Sequence, residues 1–102
     1  MSSKYRKFNL IWDTWNLEHI KKHNVSKYEV EIAFKSKDLL IESYRGRILI
    51  IGRSKRGRIL TISISFEKQK DGYVVSARDS SKKERELYYD EINKNDKTNK
   101  TI

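Results

Sequence analysis

The sequence predicts an α+β fold: one small domain, a largely antiparallel sheet, and helices towards both chain ends in the order βααββββα. Three observations carry this. Apolar residues recur at helical spacing in two stretches before residue 35 and in one after residue 80, and each stretch is preceded by a capping residue. Residues 39 to 78 instead alternate as strands do, and short turns of hairpin length divide them. No proline, internal repeat or low-complexity linker splits the 102 residues, a length that supports a single thin core.

Phe8 to Trp12 is an apolar-rich run that suits a first strand. Asp13 follows as the N-cap of a helix to about His23, with Leu17 and Ile20 facing inward. Ser26 and Glu29 form a capping box for a second helix, whose apolar face is Val30, Ala33 and Phe34, with Val25 stapled to Val30. Leu39 to Tyr44, Arg47 to Gly52, Arg58 to Phe66 and Gly72 to Arg78 read as four strands, joined at Arg45-Gly46, at Ser54 to Gly57 and at Lys68 to Gly72. In the third of these, Leu60, Ile62, Ile64 and Phe66 alternate with Thr61, Ser63 and Ser65, which predicts one core face and one polar face open to a ligand. Ser81 and Glu84 cap a last helix that fades at Asn93, so the domain is expected over residues 1–93 and a polar, flexible tail over 94–102.

Only 36% of residues are hydrophobic and mean hydropathy is -0.84, yet 11% are aromatic and the apolar residues cluster, the pattern of a folded domain with a charged surface. No apolar run approaches the roughly 18 residues of a membrane span, and MSSKYRKFNL contains no signal-like apolar stretch, so a cytoplasmic protein without membrane contact is expected. The absence of cysteine excludes disulfides and thiolate metal sites. The net charge of +9 is uneven: residues 35 to 78 hold eleven Lys and Arg against four Asp and Glu. Such a concentration of cations points to nucleic acid.

The segment from Arg45 to Arg58 contains Arg45, Arg47, Arg53, Lys55, Arg56 and Arg58 and no acid. On a hairpin, its loop would project cations together at one edge, where Gly52 and Gly57 let the backbone approach a phosphate. Arginine's planar fork suits phosphate oxygens. The alternative is a solubilising loop. Arg78, just before the Ser81 cap, reads either as part of an anion site at the helix start or as a salt-bridge partner of Glu84 or Asp79. His19 and His23 share a helix face, but no third ligand accompanies them, so no metal or other cofactor is expected. Either imidazole is a candidate general acid or base, with capping or packing as the alternative for His23. Tyr44, Tyr73, Tyr88 and Tyr89 offer stacking surfaces or ordinary packing, while Trp12 and Trp15 read as core.

In order and spacing, several short pieces resemble the BrnT-type toxins of the RelE-like ribonuclease group: Trp12-Asp13, Asn16, Lys22-His23-x-Val25, Gly52-Arg53, Gly57-Arg58-Ile-Leu, Ser76-Ala77-Arg78, Glu84-Arg85 and Tyr88. They extend from about residue 8 to 90. Asn24 stands where the family usually has glycine, and the stretch from Trp12 to His23 is about one residue shorter, features of a variant branch. The resemblance implies a RelE-like fold and the toxin of a type II toxin-antitoxin pair, a metal-independent endoribonuclease in which the RNA's 2'-OH attacks the adjacent phosphate and growth is inhibited. It implies RNA as substrate, an antitoxin encoded nearby as partner, and DNA contact only through the antitoxin complex. On this reading Arg53, Arg58 and Arg78 supply cations to the reacting phosphate, His23, Glu84 or Tyr88 moves protons, and Arg45, Arg47, Lys55 and Arg56 hold RNA. The competing reading is a non-catalytic nucleic-acid or antitoxin-binding module on the same basic edge.

Overall fold

The computed structural model describes residues 8–36, 38–43, 45–66 and 70–100, the side chains of 95–100 excepted. Its elements follow the predicted order: β1 (Leu10–Ile11), α1 (Thr14–Lys21), α2 (Lys27–Lys35), β2 (Leu39–Glu42), β3 (Arg47–Arg53), β4 (Ile59–Ser65), β5 (Gly72–Asp79) and α3 (Lys82–Lys100), with a 3-10 turn at Lys55–Gly57. One five-stranded sheet runs β1-β5-β4-β3-β2. Neighbours from β2 to β5 are antiparallel, and only the two-residue β1 lies parallel to its partner, β5. Tyr44 and Lys68 lie outside the described residues.

Both N-terminal caps form as their sequences predict. The Asp13 carboxylate accepts from the Asn16 amide at 2.9 Å while the Asn16 side chain accepts from the Asp13 amide at 2.9 Å. Ser26 and Glu29 make the same reciprocal pair. Asn16 is fully buried and its side-chain amide donates to the Ile11 carbonyl, which ties the start of α1 to β1. Asn24 closes α1 in the left-handed region, with φ 57, while the Val25 amide reaches back to the Ile20 carbonyl. Helix α3 continues to Lys100, past Asn93, where the sequence suggested that it fades.

Alternation along the strands separates two cores. Ile48, Ile50, Leu60, Ile62, Ile64, Val74 and Ala77 pack with Ile20, Val25, Val30 and Ala33 beneath α1 and α2. On the opposite face, Ile51 and Ile59 pack with Tyr88 of α3, flanked by Leu39, Ile41 and Ile92. The polar face of β4 is therefore not wholly open: Thr61 is 2% exposed, while Ser63 and Ser65 remain partly accessible. Trp12 is core as expected, half-buried with its indole N–H donated to Glu31 at 2.9 Å. Trp15 is not core; it is 57% exposed. Its position on α1 turns outward because the inward face is occupied by Asn16 and Ile20.

Gly52 does not face a ligand either. A Cβ there would stand 2.4 Å from the Ala33 carbonyl oxygen, so the missing side chain is what allows α2 to approach β3. Gly57 has φ +75 and open space around it. Gly52→Ala is expected to lower unfolding stability by about 1–3 kcal/mol through overpacking, and Gly57→Ala by about 1 kcal/mol through backbone strain alone. Urea titrations of the two variants check the order; equal costs would contradict the packing assignment.

Candidate nucleic-acid interface

The β3–β4 connection, the α1–α2 turn, the end of β5 and the start of α3 meet at one end of the domain, and Arg58 joins the first three. Its Nε donates to Asp79 Oδ1 at 2.6 Å; Nη1 donates to the Asn24 carbonyl at 2.7 Å and Glu29 Oε2 at 3.0 Å; Nη2 donates to the His23 carbonyl at 3.2 Å and Asp79 Oδ2 at 3.4 Å. A guanidinium has five N–H donors, and all five are engaged. Asp79 raises the Arg58 pKa, and Arg58 in turn holds the Asp79 carboxyl below its ordinary range. The expected phosphate ligand Arg58 is thus a clamp, because protein acceptors already saturate its fork.

Arg78 is likewise committed. Its Nη1 and Nη2 meet the two Glu84 oxygens at 2.8 and 2.9 Å, a bidentate pair. Glu84 Oε1 also accepts from the Ser81 amide at 2.8 Å and the Thr61 hydroxyl at 2.9 Å, and Thr61 shares a 2.7 Å hydrogen bond with Ser80. The Arg78 pair, then the Ser81 and Thr61 donors, hold the Glu84 carboxyl at about 2 against the opposing effect of burial. A carboxylate so strongly stabilised in its charged form is a poor proton carrier near neutral pH. The salt-bridge alternative for Arg78 is the one observed, and Glu84 serves as its partner and as the cap of α3. Tyr88, 2% exposed within the second core, is beyond the reach of RNA.

What remains at this end is cationic. Arg53, Lys55 and Arg56 are exposed on the connection, Lys22 and His23 on the α1–α2 turn, Lys27 at the start of α2, and Lys82 and Lys83 at the start of α3 on the other face of the sheet. Among the described residues no carboxylate pairs with any of these Lys or Arg, while Glu29, Asp79 and Glu84 are each held by Arg58 or Arg78. The Lys55 ammonium lies over the Tyr28 ring, 4.9 Å from its centre, and Tyr28 is 59% exposed. Arg45 and Arg47 do not join this group. They border a hollow with Gly46 and Phe66 at the other end of β3, roughly 20 Å away at about 3.3 Å per strand residue.

Exposed rings run beside the basic end. Trp15 stacks on His19 with centroids 4.7 Å apart and planes 11° apart, and His19 meets His23 edge-on at 6.3 Å. The i, i+4, i+8 spacing was visible in the sequence, but treating Trp15 as core concealed the column. Tyr73 instead donates to the Asp13 carboxylate at 2.9 Å, and burial followed by this bond raises its pKa. Tyr89 is 40% exposed. Among the described residues no three His, Cys, Asp or Glu side chains assemble to hold a metal ion, and no helix is long and apolar enough to cross a membrane.

Two stability measurements follow. Arg58→Ala is expected to cost on the order of 2 kcal/mol, since it strands the His23 and Asn24 carbonyls and two carboxylates, whereas exposed Arg53→Ala stays within about 0.5 kcal/mol of the parent; equal urea midpoints would refute the clamp. Folding lowers the Glu84 pKa from an ordinary 4.5 to about 2. Its stabilisation is therefore complete above the ordinary value and is lost as pH falls through about 2, to the extent of about 1–3 kcal/mol. Stability profiles should show that loss, and Glu84→Gln should flatten it in proportion.

No protein-family model, no curated protein and no solved structure matches this chain.

Proposed function

We propose that this chain is an RNA-directed toxin of the BrnT type that engages RNA through its basic end and cleaves it there. The observation that carries the reading is that exposed Lys22, Lys27, Arg53, Lys55, Arg56, Lys82 and Lys83 lie on segments that meet at the end of the domain carrying exposed His23, where Glu29, Asp79 and Glu84 are already paired internally. Each phosphate that these cations neutralise releases condensed counterions, so binding weakens steeply with salt. Arg53 and Arg56 provide forks that suit phosphate oxygens, and Tyr28 supports base stacking.

Cleavage by in-line displacement places the attacking 2'-oxygen and the leaving 5'-oxygen on opposite sides of phosphorus, so a proton is removed on one side and delivered on the other. His23 and His19, with ring centres 6.3 Å apart, are the imidazoles this surface offers for those transfers. One takes the 2'-OH proton and the other protonates the 5'-oxygen, leaving a 2',3'-cyclic phosphate and a free 5'-OH. Arg53 and Arg56 oppose the charge that grows on the non-bridging oxygens. An antitoxin partner on this reading is an acidic surface covering the same end.

A second reading has a specific observation in its favour. Arg58 and Arg78 are each committed to carboxylates of the protein, Glu84 among them, and Tyr88 is buried, which suits a module that binds RNA or antitoxin without cutting. Purified protein incubated with end-labelled RNA separates the two. The toxin reading expects cyclic-phosphate ends and at least a roughly hundredfold loss of rate in His23→Ala, with Arg53→Ala/Arg56→Ala binding RNA with a log-log salt slope smaller by about 1.4, or about 0.7 per lost contact. Intact RNA that is still bound by the parent chain favours the module; no salt-sensitive RNA binding at all rejects the toxin reading and the RNA-binding form of the module.

A further inference from the structure

The aromatic column on α1 has no role in either core. Trp15 is 57% exposed although one face of its indole lies against His19. It borders a shallow concavity with Thr14, Glu18, His19 and Lys22. An isolated surface tryptophan would have no preferred use, but this one is fixed: a helix capped at both ends carries it, and the His19 ring lies parallel to it. A large flat apolar surface held rigid at solvent costs little ordering when a second flat ring is laid on it.

The charge around the concavity selects the occupant. Glu18, its acidic member, is already paired with Lys21 at 3.4 Å, while Lys22 has no carboxylate partner among the described residues. The column leads through His19 to His23, beside the cations of the β3–β4 connection. A flat apolar ring joined to a positively charged track matches a nucleobase attached to a phosphodiester strand. Inside a duplex both faces of each base are covered by neighbours, so away from helix ends stacking on Trp15 requires an unpaired base.

We propose that Trp15 is a base-stacking subsite for single-stranded RNA, receiving the base of a nucleotide that flanks the phosphate held near His23 and Arg53, with Lys22 on the intervening backbone. This rests on the RNA reading above and adds a strand preference to it. Trp15 is a positioning residue; the proton transfers stay with the imidazoles.

Fluorescence tests the assignment, because the chain has two tryptophans and Trp12 is half-buried under α2. In the full chain carrying Trp12→Phe, a single-stranded RNA oligonucleotide of mixed sequence is expected to quench Trp15 saturably, and a blunt duplex of equal length to leave it unchanged. Trp15→Phe, which retains only Trp12, should show no quenching. Trp15→Ala should bind the single strand roughly tenfold more weakly, with duplex affinity and thermal midpoint unchanged, and Trp15→Phe should recover part of that loss. Unquenched Trp15 and undiminished single-strand affinity in Trp15→Ala would overturn the subsite, hand this face to a protein partner and leave the basic end as the RNA surface. Failure of the parent chain to bind either RNA would overturn the RNA reading itself, and the subsite with it.

Discussion

The architecture of the basic end depends on one guanidinium. Arg58 donates to the His23 and Asn24 carbonyls of the turn that follows α1, to the Glu29 carboxylate that also closes the Ser26 capping box, and to the Asp79 carboxylate at the end of β5. Three segments distant in sequence are thereby fixed to the turn between β3 and β4. A lysine would bring the charge but not the geometry, since its three donors radiate from one point whereas Arg58 spreads five across a plane. The half-buried setting strengthens each bond while solvent still screens Asp79, which makes this a fastening of surface elements more than a core interaction.

A second hub fixes α3. Glu84 gathers a guanidinium, a hydroxyl and a backbone amide, and so sets the first turn of the helix over β4 and β5. Tyr88, one turn further on, then falls onto Ile51 and Ile59. The two hubs consume Arg58 and Arg78 together with the carboxylates Glu29, Asp79 and Glu84. The charge at this end is consequently divided between these internal ion pairs, in which two arginines hold three carboxylates, and an outer set of cations with no carboxylate partner among the described residues. That segregation, rather than the net charge of +9, is what distinguishes this end of the domain.

Much of the fold was legible because local signals agreed with one another. Asp13, Ser26 and Ser81 mark the starts of the three helices, and alternation in Leu60 to Ser65 separates the two sides of the sheet. Asn24 takes the left-handed conformation expected of a glycine substitute. The site was less legible, since pairing between distant residues leaves no local pattern. Arg53 and Arg58 look alike in sequence, yet one is exposed and the other joins His23, Asn24, Glu29 and Asp79 from up to 35 positions away. Arg45 and Arg47 looked continuous with the loop because they are close in sequence; a seven-residue strand carries them to the opposite end of the sheet. Trp15 was misread because hydrophobicity alone does not say which side of a helix the core occupies, and buried Asn16 beside it holds the inward position.

The turn from Ser54 to Arg58 resolves how one short basic segment serves two purposes. Arg56 and Gly57 both adopt positive φ, at 60 and 75, and this reverses the chain tightly enough that the Ser54 amide donates to the Arg58 carbonyl at 2.7 Å. The tight reversal sends Arg58 back towards the α1–α2 turn and α2, while Arg56 stays exposed and the Lys55 ammonium lies over the exposed Tyr28 ring. A looser turn would let all the cations sample solvent and lose orientation. Here the inward arginine anchors the loop that displays the outward ones, so a phosphate bound as proposed would meet groups whose backbone is already fixed, with little conformational entropy left to lose. The arginines that look alike in the sequence thus divide by mechanical role, and the clamp is the reason the exposed cationic loop has a defined shape.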